Sequence, residues 1–418
     1  MTPINRRRFL AGAGTAAVGT AAASAGLAST ASGAANPTPG EIVAGQGLLD
    51  RVPFDGRYQA GILTPRQDQI TIVALDSLAP SRSALALVLQ ELTGRMRALA
   101  TGGPAAQAPL DAPPPDSGTI GPVILPDQLT ITVAFGPSLF DARYGLAAQR
   151  PPGLIEMPRF TNDEIDPARA GGDLLLQICA NHRDTVVHAF REIMRVLDGS
   201  FAIRWTLDGF VGENRGPSAR SSTRNLFAFR DGTANPDVTD SALMHRLVWV
   251  NPGQGPAWAV DGTFQVIRTI RMHVEFWDRV GLEEQQTMIG RVRTTGAPLG
   301  GTNEFENPRY DLDPHGRRIP LNAHIRLANP RTNATANRRI LRRSYSYHRG
   351  IDAAGTLDQG LLFVAFNQDP ARQYAVIQKK LSIEPMIDYI TPVGGGYYFA
   401  PPGTGGPRGW LGESLFAT

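Results

Sequence analysis

The sequence is poor in cysteine and in lysine. A single cysteine, Cys179, stands among 418 residues, which excludes a disulfide within the chain and any zinc or iron–sulfur site built from several cysteines. Only Lys379 and Lys380 are lysines among 41 basic residues, so arginine supplies nearly all of the positive charge. So skewed a ratio indicates a GC-rich genome rather than a nucleic-acid surface.

The sequence also lacks a large net charge and a long apolar run. The formal net charge is +3, and without Arg6, Arg7 and Arg8 the basic residues equal the 38 acidic ones. Balanced charge argues against a polyanionic partner, so we predict no nucleic-acid binding. No stretch reaches the roughly 18 continuous apolar residues of a membrane span. We therefore expect no integral membrane segment once the N-terminal segment is removed.

The N-terminus has the three-part order of an export signal. Arg6-Arg7-Arg8-Phe9-Leu10 is followed by a mild Ala/Gly/Thr run and by small residues at 32–34. Paired arginines before Phe-Leu are typical of twin-arginine signals, and a disordered basic tail is the alternative. We predict a twin-arginine signal at 1–34 and a secreted, cell-envelope or periplasmic protein. Because this route carries folded proteins, often with a cofactor in place, it hints at a prosthetic group.

The rest of the chain repeats one order of elements. Residues 35–56 are rich in glycine and proline and predict a flexible tether. Periodicity then predicts strand–helix–strand twice in residues 57–215: 69–75, 81–100, 129–135, 173–180, 183–197 and 201–207. A similar order follows in 216–418: strand 263–274, helix 275–291, strand 360–367 and helix 370–381. The predicted fold class is α+β, with two ferredoxin-like domains of antiparallel sheets and peripheral helices.

Two segments hold side chains that could carry chemistry. Residues 225–236 run from an aromatic, apolar stretch into Asp231, and a type I turn with aspartate as its local acceptor is the alternative. Residues 322–331 place His324 between apolar neighbours, where a satisfied core histidine is commoner than a metal ligand. Taken singly, neither segment decides between chemistry and structure.

A third segment, 339–347, places Arg342 and Arg343 beside apolar strand residues, as a buried charge or as edge residues. Cys179, in an apolar strand, is predicted to be a small buried hydrophobe. The remaining histidines lie in no ligand-like spacing, and we interpret them as structural or surface residues: His182, His188, His245, His273, His315 and His348.

Together the three segments resemble the dye-decolorizing peroxidase family of haem enzymes. The likeness is to the subgroup with twin-arginine signals that includes the deferrochelatase/peroxidases. The family motif is Gly-x-x-Asp-Gly, and here Ala228 stands at its first position. If that glycine serves a positive φ, alanine costs on the order of 1 kcal/mol. The resemblance runs from about residue 59 to 403, and it includes 264–268, 290–291, 296–299, 360–366 and 394–399.

The resemblance implies an exported haem peroxidase. Such an enzyme reduces hydrogen peroxide at ferric haem b, one haem per chain, and oxidises a small organic electron donor, dye-like or phenolic, by way of a ferryl intermediate. The alternative is a deferrochelatase-type iron acquisition protein that releases iron from haem, or a haem carrier. All need His324, whereas only the peroxidase needs Asp231 and Arg342 for turnover. The sequence leaves this choice open. It also leaves open whether the protein forms a homo-oligomer.

The resemblance also implies roles for single residues. His324 would be the axial iron ligand, and Asp388 its hydrogen-bond acceptor, with a turn or cap residue as the alternative for Asp388. Asp231 would be the acid–base group. Arg342 would stabilise charge and hold a haem propionate, with Arg343 as the competing choice. Other residues implied at the haem are Gly232, Thr233, Ala234, Asn329, Pro330 and Arg331. Leu362, Phe363 and Phe366 would supply an apolar wall, and a core role is the alternative that explains these three equally well.

Bulky donors raise a further question, because an enclosed haem leaves them little room. Electrons would then have to leave through aromatic side chains. Tyr345, Tyr347 and Tyr389 are closest in sequence to the implied haem-lining positions. We hypothesise that at least one of them carries oxidising equivalents outward, with core packing as the alternative for each.

Overall fold

The computed structural model describes residues 47–218 and 221–417. The predicted signal at 1–34 and most of the predicted tether lie outside these residues. The first half of the described chain contains these elements: β1 (Gln69–Ser77), α1 (Arg82–Thr101), β2 (Gly103–Pro104), β3 (Val123–Ile124), β4 (Thr130–Phe135), β5 (Leu174–Ala180), α2 (Arg183–Leu197) and β6 (Phe201–Phe210). The predicted strands and helices of this half are therefore all present.

The first-half sheet has the order β4-β5-β1-β6 with antiparallel pairing throughout. Helices α1 and α2 cover one of its faces. The side chain of Ser81 accepts the N–H of Ala84 and so begins α1, and Gly102 with φ 69° ends it. The buried residues of α1 recur at helical spacing: Leu85, Leu89, Leu92, Met96 and Leu99.

The second half contains α3 (Ser241–Leu247), β7 (Thr263–Met272), α4 (Val274–Trp277), α5 (Leu282–Ile289), α6 (His324–Ala328), β8 (Leu341–Arg342), β9 (Tyr345–Ile351), β10 (Leu357–Asn367), α7 (Tyr374–Leu381), β11 (Ile390–Ala400) and α8 (Glu413–Phe416). Its sheet has the order β11-β7-β10-β9, again antiparallel. The prediction of one helix over 275–291 is wrong. A break at 278–281 separates α4 from α5, and Gly281 precedes the first residue of α5.

The two sheets meet edge to edge. Phe399 of β11 pairs with Phe135 of β4, and Phe210 of β6 pairs with Ser346 of β9, so the eight main strands close into a barrel. Apolar side chains of both sheets fill its interior. The prediction of an α+β fold with two ferredoxin-like sheets is confirmed. The boundary near residue 215 stays a prediction, since the described residues on both sides of it form one compact unit.

The second half differs from the first in the length of its connections. Residues 211–262 join β6 to β7, and residues 273–340 join β7 to β8. Long connections of this kind commonly carry function in a domain whose sheet supplies rigidity. Within the described residues, no helix combines the length and the apolar character needed to cross a bilayer.

Candidate active site

A tight turn presents the Asp231 loop. Asn225 accepts the N–H groups of Phe227 and Phe229 through Oδ1, at 3.1 and 3.3 Å. The same turn brings both phenylalanine rings to the wall of a cavity that Asp231 also lines. The backbone N–H of Asp231 then donates to the carbonyl of Thr223 at 2.9 Å. These bonds hold the carboxylate at the cavity wall.

Ala228 lies in the left-handed region of this turn, with φ 66°. The first position of the motif therefore has the positive φ that favours glycine. An L-residue with a side chain is strained in this conformation. The usual penalty is on the order of 1–2 kcal/mol. The turn nevertheless forms, and the Ala228 N–H donates to the Asn225 carbonyl at 2.9 Å.

Asp231 forms an ion pair with Arg342. Arg342 Nη1 lies 2.7 Å from Asp231 Oδ1, and the two side chains are 26% and 17% exposed. Burial raises the pKa of Asp231, but the positive charges of Arg342, Arg66 and His324 outweigh it and hold this pKa below its ordinary value. The carboxylate therefore stays ionised, and able to accept a proton, into the acidic range.

Arg342, rather than Arg343, faces this cavity. Asn235 fixes its backbone from both sides, because Asn235 Nδ2 donates to the Arg342 carbonyl at 2.7 Å and the Arg342 N–H donates to Asn235 Oδ1 at 3.2 Å. Arg343 is buried and directed away, toward Pro65 and its neighbours. Asn235 thus positions Arg342, a contact that the sequence analysis did not predict although Asn235 lies within the motif segment 225–236.

His324 is the first residue of α6 and lines the same cavity. Its Nδ1 lies 2.6 Å from Oε2 of Glu384, a carboxylate that is 2% exposed. Burial lowers the pKa of His324, but the charge and hydrogen bond of Glu384 raise it more, so the net shift is upward. A ring held by Nδ1 in this way leaves Nε2 as the nitrogen able to bind a metal.

The prediction of Asp388 as the acceptor for His324 is wrong. Asp388 is exposed, whereas Glu384, four residues earlier, is buried against the imidazole. Glu384 stands immediately before the short 3₁₀-helix Pro385–Tyr389, which contains Asp388. The turn thus directs one carboxylate inward and the other toward solvent. Since His324 and Glu384 lie 60 residues apart, no local pattern marked Glu384.

The apolar wall from β10 consists of alternate residues. Leu361 and Phe363 line the cavity, whereas Leu362 and Phe366 point into the barrel interior. The prediction of Phe366 as a haem-lining residue is therefore wrong, and so is the place given to Leu362. Successive side chains of a strand face opposite sides of the sheet, so only one alternate set can reach a given cavity.

The other predicted lining residues reach this cavity: Gly232, Thr233, Ala234, Asn329, Pro330 and Arg331. Further apolar side chains complete its walls: Ile270, Met272, Ile289, Leu327, Ile377 and Met386. The result is an apolar slot with an imidazole and an aspartate–arginine pair among its lining groups.

The charges of the cavity suit a dianionic apolar ligand. Arg291, Arg331, Arg338 and Arg339 line it, and none of the four forms an ion pair with an acidic side chain in residues 47–218 and 221–417. Nε of Arg339 is buried without a hydrogen-bond partner. Haem is an apolar ring with two carboxylates that arginines bind well. Together with Nε2 of His324, the ring nitrogen that Glu384 does not hold, these residues fit haem.

The three tyrosines of the electron-route hypothesis occupy two places. Tyr345 and Tyr347 are buried in the barrel interior, on the face of β9 that does not meet the cavity. Tyr389 makes an edge contact with Trp277, with ring centroids 5.2 Å apart. Trp277 in turn stacks on Phe227 of the cavity wall at 4.3 Å. Of the three, only Tyr389 lies in an aromatic chain that starts at the cavity.

A second cluster, outside the cavity, contains a buried histidine. His188 and Glu192 of α2 lie with Asp116 at a spacing that could hold a metal ion, and the i,i+4 pair was overlooked in the sequence. Arg95, however, lies 3.0 Å from Asp116 Oδ2 and 2.5 Å from Glu192 Oε2. The Arg95 guanidinium occupies the position that a metal ion would take between these carboxylates, so we interpret the cluster as a structural ion-pair network.

Comparisons with known proteins match nearly all of the chain after the predicted tether. The model described as Dyp-type peroxidase, N-terminal matches residues 59–211, and that described as Dyp-type peroxidase, C-terminal matches 222–405. Deferrochelatase of Yersinia pseudotuberculosis is 46% identical over 365 residues, 87% of this chain and 84% of that protein. Deferrochelatase of Escherichia coli O157:H7 is 44% identical over 414 residues, 98% and 96% of the two chains.

Solved structures show the same likeness. The crystal structure of a DyP-type peroxidase from Cellulomonas bogoriensis matches with a TM-score of 0.79 and 34% identity, covering 90% of this chain and 100% of that one. A DyP-type peroxidase from Streptomyces coelicolor matches with a TM-score of 0.80 and 32% identity, with the same coverage.

Proposed function

The chain belongs to the Dyp-type peroxidase family of haem peroxidases, and from that premise we propose that it holds one haem b per chain through His324. The observation that carries the proposal is the lining of one cavity. It combines an imidazole whose Nδ1 is held by Glu384 with the ion pair of Asp231 and Arg342. When bound, haem supplies the iron at which hydrogen peroxide is reduced.

The side chains of this chain would divide the remaining work. Asp231, ionised because its pKa is lowered, would take the proton of peroxide and return it to the leaving oxygen. Arg342 is a permanent cation that would stabilise negative charge as the oxygen–oxygen bond breaks. Glu384 would orient the His324 ring and increase its basicity as a ligand.

The test of this assignment is peroxide-dependent turnover. Protein loaded with haem should consume hydrogen peroxide and oxidise a phenol or a dye, with the Soret band as a check on loading. Asp231→Asn should retain the Soret band and lose most of the peroxide-dependent rate. Full turnover by Asp231→Asn would overturn the proposed role of Asp231.

A second activity, release of iron from haem, is favoured by the names of the relatives. Proteins 44–46% identical to this chain are called deferrochelatases. The two activities are distinguished by their products, since peroxidase turnover oxidises a donor and iron release leaves protoporphyrin. Supplying haem with and without peroxide, and extracting the porphyrin, therefore tests both. If protoporphyrin forms and no donor is oxidised, iron release rather than peroxidase turnover is the main activity.

We also propose export by the twin-arginine route. The support is the order of residues in 1–34, with Arg6 and Arg7 before Phe-Leu. Fractionation of cells that express the full chain should find it outside the cytoplasm. Replacing Arg6 and Arg7 by lysine should retain it inside. Export of this double variant at the parent level would contradict the assignment.

A further inference from the structure

Arg66, in the segment just before β1, reaches into the second half of the chain. Its Nη2 donates to Thr223 Oγ1 at 2.7 Å, and its Nη1 donates to the carbonyl of Ser344 at 2.6 Å. The guanidinium also lies over the ring of Tyr345, with its carbon 5.7 Å from the centroid. The half-buried side chain thus ties together two segments far apart in sequence.

Both partners of Arg66 stand beside the reactive pair. The carbonyl of Thr223 accepts the N–H of Asp231 at 2.9 Å, and Ser344 lies two residues after Arg342. Arg342 in turn pairs with Asp231, and the main chain from Arg342 through Arg343 to Ser344 closes a ring of six residues. A shift of either segment would therefore change the geometry of the ion pair.

A second arginine makes the reciprocal connection. Arg343 donates to the carbonyls of Thr64 and Pro65 and to the side chain of Gln67, so it fixes the segment that carries Arg66. Gln67 Nε2 donates in turn to Thr130 Oγ1, in β4, at 3.0 Å. Arg66 is consequently anchored to the first-half sheet rather than to a free loop.

We propose that Arg66 is a positioning residue for the Asp231–Arg342 pair, contributed by the first half of the chain. The cavity and its reactive side chains belong to the second half of the chain. The Asp231–Arg342 pair keeps its geometry only when the first half packs against the second half. The proposal rests on the acid–base role proposed above for Asp231.

The guanidinium suits this role because of its shape and its charge. A planar fork can donate to two acceptors at once, whereas the ammonium of lysine is a compact charge on a flexible stem. The charged groups that act on Asp231 are Arg342, Arg66 and His324. Without Arg66 the pKa of Asp231 rises, so the carboxylate is protonated, and lost as a base, at a higher pH.

The experiment compares two variants and one control, all loaded with haem. Arg66→Met removes both the two-donor fork of the guanidinium and its positive charge, whereas Arg66→Lys retains the charge alone. Arg97→Met is the matched control, since Arg97 is a half-buried arginine that joins Asp55 to the distant Gly409 carbonyl. The rate of peroxide consumption is measured from pH 3 to 8, with Soret absorbance and thermal stability measured for each protein.

We expect Arg66→Met to slow peroxide consumption by about 10–10²-fold, the usual effect of a misplaced catalytic group. The acidic limb of its pH profile should move to higher pH. Arg66→Lys should restore the position of the limb but only part of the rate. Arg97→Met should leave rate and profile unchanged even if its thermal stability falls.

A normal Soret band with a rate within threefold of the parent and an unmoved limb in Arg66→Met would overturn the proposal. An equal loss of rate in Arg97→Met would overturn it as well, because loss of any half-buried arginine would then slow the reaction. If Arg66→Met does not fold, Arg66→Lys decides, since full parent rate in that variant excludes a need for the fork. Asp231→Asn separates the two proposals: if it is as fast as the parent, the role of Asp231 fails; if it is slow while Arg66→Met is normal, only the role of Arg66 fails.

Discussion

The two halves of this protein share one order of elements but fill the space beneath their helices differently. In the first half, α1 and α2 lie on a sheet face whose side chains are apolar, and the space between is a closed core: Val73, Leu75, Ile131, Val133, Leu174, Leu176 and Ile178. In the second half, the corresponding face lines a cavity that also contains His324, Asp231 and Arg342. The same scaffold thus serves once for stability and once for chemistry.

The difference lies in the connections. Asp231 comes from the connection 211–262, His324 from 273–340, and Glu384 from the segment between α7 and β11. Arg342 lies in the short strand β8, while the long strands β7 and β10 contribute only apolar wall. His324, Asp231 and Arg342 belong to none of the apolar core clusters among the described residues, so their removal should change chemistry more than folding. Side chains of the first-half core should behave in the opposite way, with losses of about 2–5 kcal/mol for a leucine cut to alanine.

The largest effect is expected for His324→Ala. Haem binding should be lost or badly weakened while the fold remains, because the His324 side chain is 27% exposed and belongs to no apolar core cluster among the described residues. The Soret band, the axial-histidine resonance Raman signal and the circular dichroism spectrum report these outcomes. His182→Ala, in the first half, is the control and should bind haem normally. Unchanged Soret and Raman signals in His324→Ala would refute the ligand assignment.

The next effect concerns Asp231→Asn and Arg342→Leu. Both should retain haem and slow the reaction with peroxide by about 10²–10⁴-fold, the usual contribution of an acid–base group, though the two need not contribute equally. Because the pKa of Asp231 is lowered, the parent rate should persist into the acidic range and fall only as the pH drops through that lowered value. Stopped-flow rates within threefold of the parent for both variants would exclude the pair.

A smaller effect is expected for the partner of His324. Glu384→Gln keeps the size of the side chain but removes the charge, so haem affinity or activity should fall by about 10–100-fold. Asp388→Asn is the matched control, as its carboxylate is exposed, and it should behave as the parent. If the two variants exchanged these results, Asp388 rather than Glu384 would be the functional acceptor.

The electron route predicts a smaller, substrate-dependent effect. Tyr389→Phe should lower the oxidation of a bulky dye by less than about tenfold, or 1.4 kcal/mol, and leave oxidation of a small phenol unchanged. Tyr345→Phe and Tyr347→Phe should not affect either substrate, since both rings lie in the barrel interior. A parent rate for the dye in all three variants and in the triple variant would exclude a tyrosine route.

The smallest effect is one of stability. Ala228→Gly removes the strain of a side chain at positive φ, but glycine also gives the unfolded chain more conformational freedom. The net effect should raise the free energy of unfolding by roughly 0.5–1 kcal/mol. Denaturant unfolding of the haem-free protein measures it. Gly232→Ala, at φ 102°, should have the opposite sign. A loss of stability in Ala228→Gly would mean that the alanine methyl group contributes packing that outweighs the strain.

Local periodicity was sufficient for most of the fold. Helix α2 spans the predicted 183–197, because its buried residues repeat at helical spacing and its sequence holds no internal glycine or proline. The interrupted helix at 275–291 could not be predicted so well. Apolar residues occur throughout it, and the stop depends on Gly281 and on how each short helix packs. Propensity is a weak guide where tertiary contacts decide the ends.

The site was predictable in part, for a different reason. Asp231, His324 and Arg342 were identified by motif, and the cavity brings them together. Phe366 was misplaced because a one-residue difference along a strand reverses the face, which a list of apolar residues does not specify. Glu384 and Arg66 were missed because their partners are distant in sequence, and only the folded chain brings these groups together.

The most direct test of the central claim is a crystal structure of the protein loaded with haem. Our account predicts one haem in the second-half cavity, which Nε2 of His324 would hold through the iron, with Asp231 and Arg342 lining the same pocket. Glu384 should keep its bond to Nδ1. Iron bound by any other side chain, or haem seated outside this cavity, would contradict the account.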